Sequence, residues 1–499
     1  MERCSGILLH ISSLPGPYGI GTFGKCAYDF TDFLKDSRQH FWQILPLGAT
    51  SFGDSPYQSP SAFALNPYFI DFELLREDGL LEKSDYDNYD FGQDDYCIDF
   101  KKIYINKEKV LRKAFKKIKE NSFYFNSLKK QFLDFIKINS FWLDDYSLFM
   151  ALKLHFNGIQ WNEWDKDIKF RKQNAICYYK EKYTEEIQYF QFIQFIANKQ
   201  WKALKNYINQ QDIQIIGDIP IYAAGDSADC WVNSQTGIFK FDNNLDPSFV
   251  AGCPPDYFSS EGQYWGNPVY NWDVNKDLNY VWWISRIEHS LKIYDWIRLD
   301  HFRGLESYWE IPYNYSATLG SWRKGPDIDF INIIKSSLGN VNIIAEDLGF
   351  MTDGVKELLK QSGFPGMRVL AFAFDSGKGN NHLPHNYEKN CVAYTGTHDN
   401  DTIIGWFEHT SEESKKRAAN YLKLDIKEGY NWGFIRGIFS SNANLAIVPM
   451  QDILGLGSEA RMNIPSTLGG QNWKWRMKPN SISKELIEKL KEITELYER

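Results

Sequence analysis

The sequence predicts an α/β protein built as a (β/α)8 TIM barrel, with a large helical insertion, loop insertions over the C-terminal face and no C-terminal β-domain. Three observations lead there. Eight short runs are apolar almost throughout, as strands buried on both faces of a parallel sheet must be. Segments of helical periodicity separate them. Two of the gaps between runs are far too long for one crossover.

In chain order the strands are read at Gly6–Ile11, Phe41–Leu47, Gln214–Ile221, Tyr294–His301, Val341–Leu348, Met367–Phe374, Cys391–Thr397 and Asn444–Met450. Helices are expected at Ala27–Asp36 after the first strand, and at Phe195–Gln210, Tyr280–Ile293, Ile328–Leu338 and Gly354–Gln361 before the third to sixth. An open doubly wound sheet competes with the barrel but is weaker, because no Gly-rich phosphate loop follows the first strand. Residues 72–195 carry Lys, Asp, Tyr, Phe and Ile at helical spacing, as in Glu108–Asn121 and Tyr179–Ile196, and are expected to form a mainly helical insertion. Residues 222–279, rich in Gly, Pro and Trp, are expected to form a loop-rich insertion over the barrel mouth. The chain closes with a charged helix, Ser483–Tyr497. Residues 1–499 are read as a single barrel carrying both insertions.

Composition narrows the function classes. Net charge is −8 with no long basic run, which argues against a nucleic-acid partner. No apolar stretch approaches a membrane span, and the opening MERCSGILLHISSLPG lacks the pattern of a signal peptide. The seven cysteines are irregularly spaced with no CxxC, so reduced thiols in a cytoplasmic protein are expected and a zinc site is not. Aromatic residues reach 16%, enough to supply stacking faces for sugars even if most rings belong to the core.

Barrel active sites lie at the C-terminal ends of the strands. That rule selects Asp218 on the third strand, Arg298, Asp300 and His301 on the fourth, Glu346 and Asp347 on the fifth, and His398 and Asp399 on the seventh. A single strand-end Asp more often caps a turn or helix, and that reading stays open for Asp347 and Asp401. Four strands delivering carboxylates to one rim ask for more than caps. Three carboxylates, an Arg and two His suit glycosidic bond cleavage, in which one carboxylate attacks the anomeric carbon and a carboxylic acid about 5–5.5 Å away protonates the leaving oxygen. Arg298 and Asp300, two apart on a strand, point the same way, so Arg298 can orient the carboxylate; a buried structural ion pair is compatible with that role.

RLDHFRG (298–304), AEDLG (345–349) and THDND (397–401) resemble the second, third and fourth signature regions of the α-amylase superfamily, and GDIPIY (217–222) resembles its first region in the amylomaltase form. The segments 8–24, 43–68, 251–272 and 450–467 also resemble amylomaltases, so the likeness runs in order through most of the barrel; it is weak across 72–195. The sequence thus resembles the 4-α-glucanotransferases (amylomaltases, disproportionating enzymes; glycoside hydrolase family 77). The resemblance implies a retaining glycosyltransferase with no obligatory cofactor and no metal, acting on α-1,4-glucans (maltooligosaccharides, amylose, glycogen or starch fragments) and glucose. It implies that Asp300 is the nucleophile, Glu346 the general acid/base and Asp399 the third carboxylate, which grips sugar hydroxyls. Arg298 would orient Asp300, His301 and His398 would bond the donor sugar, Tyr57 and Trp265 would stack on or cover sugar rings, and Asp218, Ser55 and Asp256 are further binding candidates. Leu65, where the family usually has a small residue, and AAGDSADCW (223–231) depart from the common wording without touching the carboxylates.

Two other readings share features with this one. An α-1,4-glucan hydrolase would use the same carboxylates but deliver water; PPDYFSSEGQYWGNP favours transfer. A catalytically silent glucan-binding module would keep aromatic platforms without needing the triad. Glu346 is expected to have a raised pKa, from the Asp300 charge and partial burial. Gly262 and Gly266 are expected to make the 252–272 segment a mobile cover, and Glu459 and Arg461 are expected to pair as ions.

Overall fold

A computed structural model describes residues 2–120, 125–255 and 260–499. All eight expected runs form strands: β1 (Cys4–Leu8), β2 (Phe41–Gln43), β3 (Gln214–Ile219), β4 (Trp296–Leu299), β5 (Ile343–Ala345), β6 (Gly366–Val369), β7 (Cys391–Tyr394) and β8 (Leu445–Pro449). They pair in parallel in the order 6-7-8-1-2-3-4-5, and the Ala345 amide donates to Pro365 O at 2.9 Å where β5 meets the start of β6. Helices such as Lys25–Asp36, Val281–Ile293 and Asp327–Leu338 run between them. This is the (β/α)8 barrel.

Most strands stop short of the apolar runs that announce them, and the reason matters for the site. β4 ends at Leu299, so Asp300 and His301 lie just beyond the ladder. β5 ends at Ala345, one residue before Glu346. Just past the ladder, the side chains of Asp300, His301 and Glu346 line the cleft. Close packing below the rim demands a glycine at one point: a Cβ on Gly217 would stand 2.2 Å from the Tyr294 ring, whose hydroxyl receives the Leu47 amide.

Between β2 and β3 lie long helices at Phe100–Glu120, Asn126–His155 and Thr184–Gln210; Asn121 falls outside the described residues. The last of these continues from the insertion into the barrel wall, burying Phe192, Ile196, Trp201, Leu204 and Ile208. Two of its glutamines hold the loop after β2. Gln194 accepts from Leu65 N at 2.9 Å and donates to Leu65 O at 2.8 Å, while Gln200 does the same with the Asp71 backbone at 2.8 and 3.1 Å. Leu65 itself is fully buried and does not line the cleft.

Residues 222–279 carry regular elements among their loops. They contain the helices Ala228–Val232 and Trp272–Asp277 and two strands, Phe249–Cys253 and Gln263–Pro268. With Ser307–Pro312 and Ser321–Lys324 these form a second, four-stranded antiparallel sheet. Gly262 and Gly266 sit at φ 73° and 76°, and Gly266 falls where the register between the first two strands shifts. That irregularity, with Pro and Gly interrupting the alternation, is why the hairpin reads as loop.

Candidate active site

The strand ends of β3, β4, β5 and β7 converge on a cleft of about 2090 Å³ lined by Ser55, Tyr57, Trp265, Arg298, Asp300, His301, Glu346, His398 and Asp399. Asp218 and Arg298 stand opposite each other in the register of β3 and β4. The Arg298 guanidinium, 3% exposed, donates from Nη1 to Asp218 Oδ2 at 2.7 Å and to Asp300 Oδ1 at 2.9 Å. Among the described residues nothing donates to Asp300 Oδ2. One carboxylate oxygen is therefore held and the other is offered to the cleft.

Glu346 receives two backbone amides, His301 N on Oε2 and Leu348 N on Oε1, each at 2.8 Å. His301 itself sits at φ 54°, a left-handed conformation that costs a non-glycine residue energy. The two carboxylates thus share one residue, since His301 follows Asp300 directly. Burial raises the Glu346 pKa from its ordinary 4.5 to about 7; the Arg298 charge opposes the rise and the Asp300 charge reinforces it. The direction is as expected, but burial is the leading cause. Burial likewise lowers His301 to about 4 and lowers His398, so both present neutral imidazoles.

Tyr57 stacks on His398 with centroids 5.2 Å apart and planes 17° apart, and its hydroxyl donates to Asp218 Oδ2 at 2.9 Å. Ser55 Oγ accepts the Tyr57 amide at 3.3 Å and shapes that turn. Trp265 meets His301 edge-on at 4.9 Å and 90°, with its indole N–H on Gln263.

Asp218, a candidate sugar-binding group, is 1% exposed and is not among the residues that line the cleft. It lies beneath Arg298 and Tyr57 because its register partner on β4 is Arg298 itself. Burial raises its pKa to about 7, against the pull of Arg298. Asp256, with Tyr257 and Phe258, falls outside the described residues. Asp347 is a buried ion-pair partner of Arg368 at 2.9 Å, and Asp401 accepts from Ser458 Oγ at 2.7 Å. Arg461 does not pair with Glu459: it donates to Asp399 O and Asn463 O, while Glu459 accepts the Gly457 amide.

Asn463 and Trp473 carry no mark in the sequence, and Arg461 is marked there only as an ion-pair partner of Glu459. Asn463 Nδ2 donates to Asp399 Oδ1 at 2.7 Å and Arg461 Nη2 to Asp399 O at 2.7 Å, fixing the third carboxylate from the chain after β8. Trp473 packs on Tyr57 at 5.7 Å and His398 at 6.0 Å. The only signal was the word MQDILGLGSEARMNIPST, which covers Arg461 and Asn463 without saying what they touch.

Among the described residues no group of three or more His, Cys, Asp or Glu is arranged to hold a metal ion.

A family model described as 4-alpha-glucanotransferase matches residues 9–482. The chain is 53% identical over 494 residues to a 4-alpha-glucanotransferase of Clostridium butyricum, covering 98% of this chain and 100% of that relative. It is 43% identical over 507 residues to one of Thermus thermophilus, covering 100% and 99%. Among solved structures, an amylomaltase from Streptococcus agalactiae in complex with acarbose matches with a TM-score of 0.96 at 44% identity over the whole of both chains.

Proposed function

Since the chain belongs to the 4-alpha-glucanotransferase family, we propose that Asp300, Glu346 and Asp399 carry a retaining double displacement on α-1,4-glucans. Asp300 attacks the anomeric carbon of the donor sugar while the glycosidic C–O bond breaks and Glu346 gives its proton to the leaving oxygen. The glycosyl group then rests on Asp300. The 4-hydroxyl of glucose or of another glucan chain loses its proton to Glu346 and attacks the same carbon, releasing Asp300 and restoring the starting stereochemistry. Asp399, held by Asn463, grips hydroxyls of the donor ring, and the neutral His301 and His398 bond others. Tyr57 and Trp265 face sugar rings. Asp218 acts through Arg298 and Tyr57.

The observation that carries this reading is the Glu346 environment. A carboxyl buried against Asp300 and held at about 7 is protonated often enough to act as an acid and ionised often enough to act as a base near neutral pH. Transfer prevails over hydrolysis when an acceptor bound beside the intermediate gains effective concentration over water, and Trp265, which lines the cleft against His301, would help keep water from it. We assign the whole chain, 1–499, to one catalytic unit into which 72–195 and 222–279 are inserted. Its partners are α-1,4-glucans and glucose. The buried Cys4, Cys230 and Cys391 carry free thiols, which suits a reducing cytoplasm. Among the described residues no helix is long and apolar enough to cross a membrane.

The test is the product pattern from pure maltotriose. Glucose plus a ladder of longer maltooligosaccharides, with total reducing ends nearly constant, is the expected outcome. Steady generation of new reducing ends without longer chains would make the protein a hydrolase.

A further inference from the structure

The cleft extends past Glu346 on the side of the β4 and β5 loops, and its wall there carries features that the chemistry above does not use. Trp322 stands on the edge strand Ser321–Lys324, 42% exposed. One ring face is covered by the Arg303 guanidinium at 4.2 Å from the centroid, and Trp309 abuts it at 5.3 Å and 70°. Phe350 follows Glu346 by four residues and is 75% exposed. Arg303 ties the two together, donating from Nη1 to Phe350 O at 2.6 Å and from Nη2 to Ser307 Oγ at 3.2 Å. Trp322, Phe350 and Arg303 all line the cleft that holds Asp300 and Glu346.

Arg303 is only 6% exposed and ties the two rings together: its guanidinium packs on Trp322 while Nη1 holds the Phe350 backbone.

Position assigns the side of the cleft. Asp399, His398 and Tyr57 gather around β7 and the loop after β2, where the donor ring must lie to meet Asp300. Glu346 protonates the oxygen between donor and leaving sugar, so the sugar on its far side is the leaving group in the first step and the acceptor in the second. Phe350 lies on the loop that continues from Glu346, and Trp322, on its edge strand, is joined to it through Arg303 of the segment that follows His301.

We propose that Trp322 and Phe350, braced by Arg303, form an acceptor-side subsite for the second and later glucose units of an α-1,4-glucan. Apolar sugar faces would lie on the two rings. This rests on the glucanotransferase reading and adds which acceptors it prefers: chains over free glucose, which reaches only the position next to Glu346.

The test uses maltosyl fluoride as donor, whose leaving group does not reach this wall, and compares glucose with maltotetraose as acceptor. In Trp322→Ala, kcat/KM for maltotetraose is expected to fall about five- to tenfold relative to that for glucose, the scale of one lost aromatic contact. Phe350→Ala should shift the ratio in the same direction, and Trp322→Phe should restore most of it. A ratio unchanged in Trp322→Ala, or fluoride release slowed in step with both acceptors, would overturn the subsite. Failure of the underlying reading looks different: wild-type enzyme would release free maltose and elongate neither acceptor.

Discussion

Consider Glu346→Gln, which keeps the size of the side chain and removes its titrating proton. In the folded protein burial lifts the Glu346 pKa from 4.5 to about 7, so between those values the native state holds a proton that the unfolded chain has given up. Native wild-type protein therefore loses stability as pH rises through this window, and above about 7 it bears the full cost of a buried carboxylate. Gln does not titrate. The difference in stability between variant and wild type should move in favour of the variant by as much as about 3 kcal/mol, at about 1.36 kcal/mol per unit. Glu346 borders the open cleft, where water relieves part of that cost, so about 1–3 kcal/mol is the working figure. With 499 residues and roughly 2 cal/mol/K of unfolding entropy per residue, each kcal/mol moves Tm by about 1 °C. Gln also brings an amide N–H against one of the two amides that now donate to Glu346, a cost of about 1–2 kcal/mol that does not depend on pH. Measuring both proteins at pH 5 and pH 8 cancels it. The Tm difference, variant minus wild type, should rise by about 1–3 °C from pH 5 to pH 8. Activity on maltotriose should meanwhile drop about 10²–10⁴-fold, with formation of the covalent intermediate from maltosyl fluoride largely spared. A Tm difference identical at the two pH values, or one that falls at pH 8, would refute the buried-acid argument. Equal damage to maltotriose and fluoride in the first step would refute the acid role.

Three further outcomes are expected. Asp300→Asn should abolish turnover in an initial-rate assay with little change in Tm, since only one of its oxygens is engaged; retention of more than about 10% of activity would remove Asp300 from the nucleophile role. Trp265→Ala should raise the ratio of hydrolysis to transfer, read as new reducing ends per elongated chain, more than it slows fluoride release from maltosyl fluoride, because it removes the ring that lines the cleft against His301; an unchanged ratio would show that Trp265 does not shield the intermediate. Exhaustive chelation should leave activity unchanged, since carboxylate chemistry needs no Lewis acid; a loss restored by Ca²⁺ would reveal a structural ion.

Much of the fold was legible because burial on both faces leaves a mark that does not depend on partners. All eight strands were marked by continuous apolar runs, and the barrel rule then turned strand ends into candidate residues. What escaped did so for definite reasons. The antiparallel sheet around Phe249–Cys253 and Ser307–Pro312 lacks period-two alternation, being broken by Gly266 at φ 76° and flanked by prolines. Asn463 and Arg461 reach Asp399 from beyond β8, and a single Asn in a loop has no period to betray it. Trp473 could not be told from any other core tryptophan until it stood beside Tyr57.

The sequence by itself determined the order of the strands, the identity of the groups at their ends and hence the class of chemistry, because these are local properties of residue type and spacing. It could not decide which of those groups would face the ligand. Asp218 and Asp300 read alike as strand-end carboxylates, but Asp218 falls in register with Arg298 and is covered, whereas Asp300 stands one residue past the ladder and is open. Nor could it decide the leading cause of the proton on Glu346, for which the Asp300 charge and partial burial are both expected. Burial comes first, and burial is a property of surfaces brought together from the ends of β4 and β5, which the spacing along either one does not report.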